Sequence, residues 1–479
     1  MDGGRLEVPG PGSAPDGQAI AFAAELIDRS GQAPVIEAAL AHRTGRPRPL
    51  PVRAVLTALL CLALDDRPLF LTEATRLLFC QLSGASRALL GVPGTAATHQ
   101  AFLAAYRRVR YCFHQICGVV DPSPLPKNRR LSDQDLKARI KQLTTAQAQA
   151  ARDRLESLVN ALIEASISVL DEEERAAFDG SVALDATPVP LFSRGPSKRA
   201  GLSASDPDGG WYVREGDHRE HEDDKGKPLR KIAWALEATI AVTTRPPGAP
   251  SAHPNLAVGL AMTRPGEDPG GTGARVLASG PLTTATARLR GHAITSDLYG
   301  QQIAARAPYQ LKRKDGPDAD GYQRLTCPAL GAHPGLMCPL RGTSLSPRDG
   351  RPRVLQPPEE PPRLCRQTAI TIPPDVGARY RQDLPYGSPA WHAGYATLRN
   401  TIEGLNGYAK DPAHQALAAP GRRRVRGMAA CSLFTALLLT AANIRKIRAW
   451  RALTASTSAA TAQRARRRRT SLRDHLPDG

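Results

Sequence analysis

Three carboxylates stand out because the pattern around each of them could bring it to the same place. Asp185 closes the run Val-Ala-Leu-Asp and Asp297 closes the run Ala-Ile-Thr-Ser-Asp, and both runs predict strands that end in aspartate. Glu403 lies in a run that predicts a helix. Magnesium prefers carboxylate and water oxygens, and a pair of such ions can drive in-line displacement at a phosphodiester. The three residues therefore predict a site for Mg²⁺ or Mn²⁺ that cuts phosphodiester backbones.

The segment around Glu403 also carries two cations at helical spacing. Arg399, Glu403 and Lys410 follow the pattern Arg-x3-Glu-x6-Lys, and Tyr395 lies one helical turn before Arg399. At about 100° per residue these positions share one stripe of a helix, provided that the helix continues through two intervening glycines. Cations beside a metal-binding carboxylate suit contacts with DNA phosphates. The stripe therefore predicts Arg399, Lys410 and Tyr395 as DNA-binding residues.

Each of these residues also has an ordinary interpretation. An aspartate at a strand end usually forms a turn or caps a helix, and an Arg-x3-Glu pair is usually a surface ion pair. Asp179 is the main rival of Asp185, but it precedes a glycine and is expected to cap a turn, while Glu237 and Asp411 are weaker rivals. The three favoured carboxylates occur in a consistent order, about 110 residues apart. Their combination favours a shared site over three separate structural roles.

The charge of the chain indicates a polyanionic partner. Its 479 residues include 64 Lys and Arg against 45 Asp and Glu, which gives a net charge of +19. From Gly421 onward there are 14 basic residues against 2 aspartates, so most of the excess lies near the end. Such a balance favours nucleic acid first and an anionic membrane surface second. Within this region, Arg422, Arg423 and Arg424 are predicted to contact DNA phosphates.

Taken together, these motifs resemble those of the DDE transposases of bacterial insertion sequences. Many members of that family carry Tyr, Arg, Glu and Lys around the third acidic residue; here Tyr395 lies one residue further from Arg399 than the family pattern requires. The resemblance implies that Asp185, Asp297 and Glu403 hold the metal ions. It also implies double-stranded DNA as partner, both as the inverted-repeat ends of an element and as target. Such an enzyme would act as a homodimer or a larger synaptic complex.

The predicted fold class is α+β or α/β. We expect an RNase H-like mixed sheet flanked by helices. It should be preceded by an all-helical N-terminal domain and interrupted by a small insertion subdomain. Alternating apolar residues predict strands at 182–185, 232–242, 256–262 and 292–296. The predicted segments are disorder at 1–17, a helical domain for DNA binding or dimerisation at 18–120, a linker and long helical tract at 121–175, the catalytic domain at 176–311 and 367–455, an insertion at 312–366, and a mobile basic tail at 456–479.

The insertion contains a candidate zinc site. Cys327, Cys338 and Cys365 lie there, with His333 between the first two. Three thiolates and an imidazole can bind Zn²⁺ tetrahedrally. Because their spacing lacks a close Cys-x2-Cys pair, ordinary reduced thiols are the alternative. The low apolar content of the segment favours zinc, since a small subdomain needs some further source of stability.

Other features restrict the location and the chemistry. The uncharged run at 427–444 contains serine, threonine and asparagine, and it predicts a buried helix rather than a membrane span. The eight scattered cysteines and a start without a signal-peptide pattern favour the cytoplasm, with the protein associated with the nucleoid. No Walker A loop occurs, so ATP is not expected to take part. Two alternative functions remain: a transposase-derived DNA-binding protein without catalytic activity, and a metal-dependent nuclease that cuts DNA without joining it. A third and weaker alternative is a protein that binds a membrane surface.

Overall fold

The protein combines helices with small antiparallel sheets, which is compatible with the α+β alternative of the predicted class. The computed structural model describes residues 17–41, 49–123, 125–141, 146–178, 180–196, 201–215, 230–245, 252–278, 307–330, 334, 336–338, 340–341, 358–373 and 389–468. The chain divides into two compact units: Met1–Ala287 with Ala396–Gly479, and Arg288–Tyr395. The strand predicted at 292–296, with Asp297 after it, lies outside the described residues.

The N-terminal part of the first unit is helical, as the apolar spacing predicts. Helix α3 is the most buried, because every residue from Val52 to Ala63 except Arg53 is buried. The helices of this part are α1 (Gly17–Arg29), α2 (Gln32–Ala39), α3 (Val52–Leu64), α4 (Leu71–Arg76), α5 (Gly84–Leu90) and α6 (His99–Val120), with a short π-helix at Leu77–Gln81.

Short helices and one long helix connect this part to the sheet. After the proline-rich linker, Ser132 caps the next helix by accepting a hydrogen bond from the Asp135 N–H at 3.1 Å. The Ser132 hydroxyl in turn donates to the Asp135 carboxylate at 2.8 Å. These helices are α7 (Asp133–Ile140), α8 (Ala146–Ile167) and α9 (Glu172–Ala176).

A four-stranded antiparallel sheet follows, and its long strand β3 is central. Strands β1 and β4 pair with opposite edges of β3, and β2 pairs with the early part of β3. The sequence missed β2, because the polar residues at 193–230 predict only a loop. The strands are β1 (Val182–Pro190), β2 (Gly210–Glu215), β3 (Arg230–Thr243) and β4 (Ala257–Thr263), and helix α10 (Pro269–Ala278) follows them.

Two buried asparagines cover the outer edge of β4. Asn160 of α8 accepts from the Leu260 N–H at 2.7 Å and donates to the Leu260 C=O at 2.9 Å. Asn443 makes the same pair of bonds with Ala257, both at 2.8 Å. Each side-chain amide thus makes the two backbone hydrogen bonds that a neighbouring strand would otherwise make. The buried N–H and C=O groups of Leu260 and Ala257 are therefore satisfied.

Two long helices complete the first unit. Helix α12 (Pro389–Lys410) enters it at Ala396 and continues without a break through Gly404 and Gly407. Helix α13 (Met428–Arg468) packs against α8 and β4 through its apolar half.

Helix α13 contains the apolar run that could be mistaken for a membrane span. Met428–Ser456 is the one helix in the described part of the chain that is long and apolar enough to cross a membrane, and its most apolar window is 94% buried inside the protein. The core helix of a soluble protein passes the same test of length and composition. The prediction of a buried helix at 427–444 is confirmed, with Gly427 as the residue that precedes it.

The second unit contains a three-stranded antiparallel sheet with the order β5-β6-β7. Its last strand lies just after the segment predicted as an insertion. The elements of this unit are β5 (Lys312–Arg313), β6 (Gln323–Thr326), helix α11 (Arg363–Arg366) and β7 (Ala369–Ile372), followed by the first residues of α12.

Candidate active site

Asp185 lies in the middle of β1 rather than at its end, which corrects the prediction from sequence. The strand continues to Pro190, because β1 lies at an edge of the described sheet and a proline there need not donate to a ladder. Thr187 and Val189 share the face of Asp185 and are buried, whereas Asp185 itself is exposed. The Asp185 carboxylate is therefore accessible to solvent, although the neighbouring residues on the same face of the strand are buried.

Helix α12 meets Asp185 through Asn406. The Asn406 Nδ2 donates to the Asp185 Oδ2 at 3.0 Å, so this strand and this helix lie in direct contact. Asn406 is 6% exposed, and its Oδ1 is buried without a hydrogen-bond partner among the described residues. An amide oxygen of this kind is a hard donor, and it is the type of group that Mg²⁺ accepts beside carboxylates.

Glu403 lies one helical turn before Asn406. With Arg399 and Lys410, the two residues occupy a sector about 60° wide at 100° per residue. Residues three positions apart on a helix have their Cβ atoms about 5–6 Å apart, so Glu403 neighbours the residue that contacts Asp185. The Glu403 carboxylate is 52% exposed and pairs with the Arg399 Nη2 at 2.8 Å. The stripe therefore carries an accessible carboxylate next to a cation.

Asn406 is the member of this stripe that the sequence analysis missed. The helical spacing that links Arg399, Glu403 and Lys410 also includes position 406, but an asparagine alone suggests a cap or a turn. Asp297 lies outside the described residues. Within the part of the chain that the structure describes, no group of three or more histidine, cysteine, aspartate or glutamate side chains is already arranged to hold a metal ion. At this location Asp185, Asn406 and Glu403 are the residues whose side-chain oxygens could bind one.

The predicted DNA-binding residues differ in accessibility. The Tyr395 ring stacks on Trp391 with centroids 4.7 Å apart. Arg422 lies near Asp66, with its Nη2 3.7 Å from the Asp66 Oδ1. Arg424 is exposed, and its guanidinium lies over the rings of Phe70 and Phe192, at 5.2 Å and 5.5 Å from the centroids. Arg424 is therefore the most accessible cation of the predicted arginine cluster.

Arg423 does not fit the predicted role as a DNA contact. Its side chain is 4% exposed, and it donates to the carbonyl oxygens of Ala416, Ala419 and Pro190. Burial lowers the pKa of this guanidinium to about 10. The hydrogen bond to Pro190 connects the end of β1 to the loop before α13. Arg423 therefore has a structural role within the protein and is not available to contact DNA.

A buried acidic cluster that sequence reasoning missed lies at the start of α13. Asp206 accepts from the Gly427 N–H at 3.0 Å, and Asp208 accepts from the Met428 N–H at 2.8 Å. The Lys127 Nζ lies 2.6 Å from the Asp208 Oδ2. Two carboxylates at a helix N-terminus interact favourably with the helix dipole. The pattern Ser-Asp-Pro-Asp-Gly in a polar loop signals only a turn, so its distant partners cannot be read from the sequence.

Stability should depend on pH through Asp206. Burial, followed by the charge of Asp208, raises the pKa of Asp206 from 3.8 to about 6. The folded protein therefore binds a proton more tightly than the unfolded chain does. That contribution to stability is complete below pH 3.8 and is lost as the pH rises through about 6.

We expect Asp206→Asn, which cannot ionise, to reduce this loss. The difference of about two pKa units corresponds to about 3 kcal/mol of unfolding free energy. The measurement is urea unfolding of both proteins at about pH 4 and about pH 7, with the exposed Asp411→Asn as control. Equal losses of stability in the wild type and the Asp206 variant would show that this carboxyl does not titrate in that range.

The three cysteines of the candidate zinc site belong to the second unit. Cys327 and Cys338 share one apolar cluster with Ala329 and Leu336. Burial raises the pKa of the Cys365 thiol, and so does the nearness of Cys338 and Cys327. His333 lies outside the described residues. The structure thus brings the three thiols into one neighbourhood.

Comparison of the chain with protein-family models, with curated proteins and with solved structures finds no match in any of the three. Its function is therefore inferred from its own residues, and the contact between Asp185 and helix α12 is the central geometric observation.

Proposed function

We propose that the protein is a DDE-type DNA transposase with an RNase H-like catalytic domain. It would cut the inverted-repeat ends of an insertion sequence and join them to target DNA. The observation that carries this proposal is the hydrogen bond between Asn406 and Asp185, because it brings the helix of Glu403 onto the strand of Asp185. The order along the chain of a strand, a loop, a hairpin and a helix, formed by β1, β3, β4 and α10, also supports the proposal of such a domain.

Asp185 and Glu403 would hold Mg²⁺ or Mn²⁺, with Asp297 as the third carboxylate from the sequence and the Asn406 Oδ1 as a further oxygen donor. When bound, such ions supply activation of the attacking oxygen and stabilisation of the leaving oxygen. Arg399 pairs with Glu403 and so holds that carboxylate in place at the edge of the site. Lys410, about two turns further along the same stripe, would bind a phosphate of the DNA backbone.

The partners that follow are double-stranded element ends and target DNA, held by a homodimer or a larger complex. A net charge of +19 supports a nucleic-acid partner, and no step of this chemistry requires ATP. A location in the cytoplasm, in association with the nucleoid, agrees with this partner. The exposed Arg424 and the half-buried Arg422 would contact phosphates outside the catalytic stripe.

We expect Arg424→Ala to weaken DNA binding in a salt-dependent way. Loss of one phosphate contact should lower affinity about fivefold at moderate salt and reduce the slope of log K against log salt by about one. The measurement is fluorescence anisotropy with a labelled duplex across a series of salt concentrations. Arg324→Ala in the second unit is the control, since Arg324 is exposed like Arg424 and is already paired with Asp315 at 3.6 Å. An unchanged slope in the Arg424 variant would remove this residue from the DNA surface.

The proposed function is tested with DNA that flanks the gene. Purified protein, Mg²⁺, a labelled duplex of the flanking sequence and a supercoiled plasmid are incubated together. A transposase yields new 3′-hydroxyl ends that become joined to the plasmid. Cleavage without joining would favour a nuclease, and sequence-specific binding without cleavage would favour a transposase-derived DNA-binding protein; either result would contradict the proposal.

A further inference from the structure

Helix α6 contains no acidic residue in its 22 residues, although one side of it lies at the surface of the first unit. Its buried side includes Val109, Cys112, Phe113 and Ile116. The Phe113 ring lies against that of Phe434 on α13, with centroids 5.4 Å apart. This packing holds α6 against α13, so the exposed side of α6 has a fixed direction within the first unit.

The exposed side of α6 forms one stripe. Six exposed residues define this α6 stripe: Gln100, Leu103, Arg107, Arg110, Tyr111 and His114. At 100° per residue they fall within a sector about 100° wide, so their side chains leave the helix on one side. Two of them are large and partly apolar, since Leu103 is 40% exposed and Tyr111 is 53% exposed. The stripe thus combines cations, an amide, a leucine and an aromatic ring on one accessible surface.

The arginines of α6 differ from other arginines of the first unit in their partners. Arg53, for example, pairs with Asp28 at 2.6 Å. Among the residues that the structure describes, no carboxylate forms an ion pair with Arg107, Arg108 or Arg110. Like charges about one turn apart weaken a helix slightly, and protein surfaces usually mix both signs of charge. The stripe therefore presents positive charge that no described carboxylate neutralises.

The dimensions and residue types of the α6 stripe fit duplex DNA. From Leu103 to His114 the helix extends about 16 Å, and the major groove of B-DNA, about 12 Å wide, admits an α-helix. Arginine and glutamine hydrogen-bond to the edges of guanine and adenine, and arginine also binds phosphates. A membrane-surface helix would instead present a continuous apolar face, whereas Leu103 is the one large aliphatic residue of this stripe.

We propose that the α6 stripe is a DNA-binding surface that enters the major groove of double-stranded DNA. Arg107 and Arg110 bind phosphates at the edges of the groove, and Gln100 faces the base pairs. This surface is additional to the contacts proposed for α12 and Arg424. Because α6 is held against α13, DNA bound there has a fixed position relative to the helices of the first unit.

This inference goes beyond the proposed function, because a protein without a metal site could carry the same surface. Binding through α6 is measured without divalent ions, whereas the proposed cleavage requires them. A protein that binds duplex DNA through α6 and never cleaves it would contradict the proposed function and leave this inference intact. The two proposals can therefore fail separately.

The test is fluorescence anisotropy of a labelled duplex with the full-length protein in EDTA, across a series of salt concentrations. We expect the double variant Arg107→Ala/Arg110→Ala to bind about 25-fold more weakly at moderate salt, because two phosphate contacts are lost. The slope of log K against log salt should fall by about two. The variant Arg107→Lys/Arg110→Lys keeps both charges and should keep the wild-type slope.

The matched control is Lys137→Ala/Arg139→Ala on α7. It also removes two exposed cations, but from a helix that carries Asp133 and Asp135, and it should bind DNA with the wild-type slope. An equal decrease in the α6 and α7 alanine variants would show that only net charge matters and would overturn the proposal.

Two further results would overturn it. One is an unchanged affinity and slope in the α6 alanine variant. The other comes from flotation with vesicles of an anionic phospholipid: if the α6 alanine variant loses vesicle binding but keeps duplex binding, the stripe is a membrane-binding surface instead.

Discussion

Glu403→Gln is expected to lower the rate of Mg²⁺-dependent DNA cleavage about a thousandfold and to leave DNA affinity unchanged within about twofold. Replacing a metal-binding carboxylate by a neutral amide removes charge stabilisation worth several kcal/mol, and about 4 kcal/mol corresponds to a thousandfold in rate. The Glu403 side chain is 52% exposed, so the fold should tolerate the change. The measurement compares single-turnover cleavage with anisotropy on the same labelled duplex.

The chain offers a closely matched control for this variant. Glu25 and Arg29 also form an exposed i,i+4 ion pair, with exposed fractions of 46% and 31% against 52% and 30% for Glu403 and Arg399. Glu25→Gln therefore removes the same charge and the same kind of pair outside the proposed site. It should cleave at the wild-type rate. If Glu403→Gln also cleaves at that rate, Glu403 is an ordinary surface residue and does not hold a metal ion.

Asp185→Asn should give a loss of cleavage similar to that of Glu403→Gln, since each variant removes one carboxylate of the same site. The Asn406 Nδ2 can still donate to the new side-chain oxygen, so the contact between β1 and α12 should remain. A loss of activity together with retained thermal stability would distinguish a metal ligand from a packing residue.

The stripe on α12 shows what helical periodicity can predict. Arg399, Glu403 and Lys410 share one face by spacing alone, and the helix that the structure contains agrees with this. The contact of this face with the sheet could not be predicted, because it depends on Asn406. An asparagine in a helix does not by itself indicate a metal-binding or catalytic residue. Periodicity places residues on a face of an element; it does not say which element that face will meet.

The sheet shows a related limit. Alternation along 232–242 and 256–262 predicts β3 and β4 well, since all of β4 is buried and so are the residues of β3 from Ala235 onward, except Glu237. Strand β2 was missed because apolar and charged residues do not alternate regularly along it. Its pairing with β3 is a tertiary contact that its own residues do not predict. The end of β1 was placed too early, because Pro188 suggests a turn and an edge strand can accommodate it.

The polar residues of the apolar run at 427–444 illustrate the limit most clearly. In the sequence they only argue against a membrane span. In the structure Asn443 is 0% exposed, and its amide makes both bonds to the backbone of Ala257 and a third, at 2.9 Å, to the Ser166 hydroxyl. A residue that appears to interrupt an apolar helix thus satisfies the outer edge of β4.

Asn443→Leu should therefore be strongly destabilising although leucine has a similar volume. It would leave a buried N–H and a buried C=O of Ala257 without partners, and each such group costs about 1–3 kcal/mol. We expect a loss of about 4 kcal/mol in the free energy of unfolding. The measurement is urea unfolding at neutral pH, supported by hydrogen exchange of the β4 peptide, whose protection should fall.

Thr440→Val is the matched control on the same buried helix. Thr440 is 1% exposed, and its hydroxyl donates to the Leu162 C=O at 3.1 Å. Valine keeps the shape and removes one bond to a carbonyl, so the expected loss is about 1 kcal/mol, without a change in exchange at β4. Equal losses for the two variants, or full protection of β4 in Asn443→Leu, would show that the asparagine does not hold this edge. A loss of hydrogen-exchange protection that is confined to β4 in Asn443→Leu would instead show that α13 holds in place the sheet on which Asp185 lies.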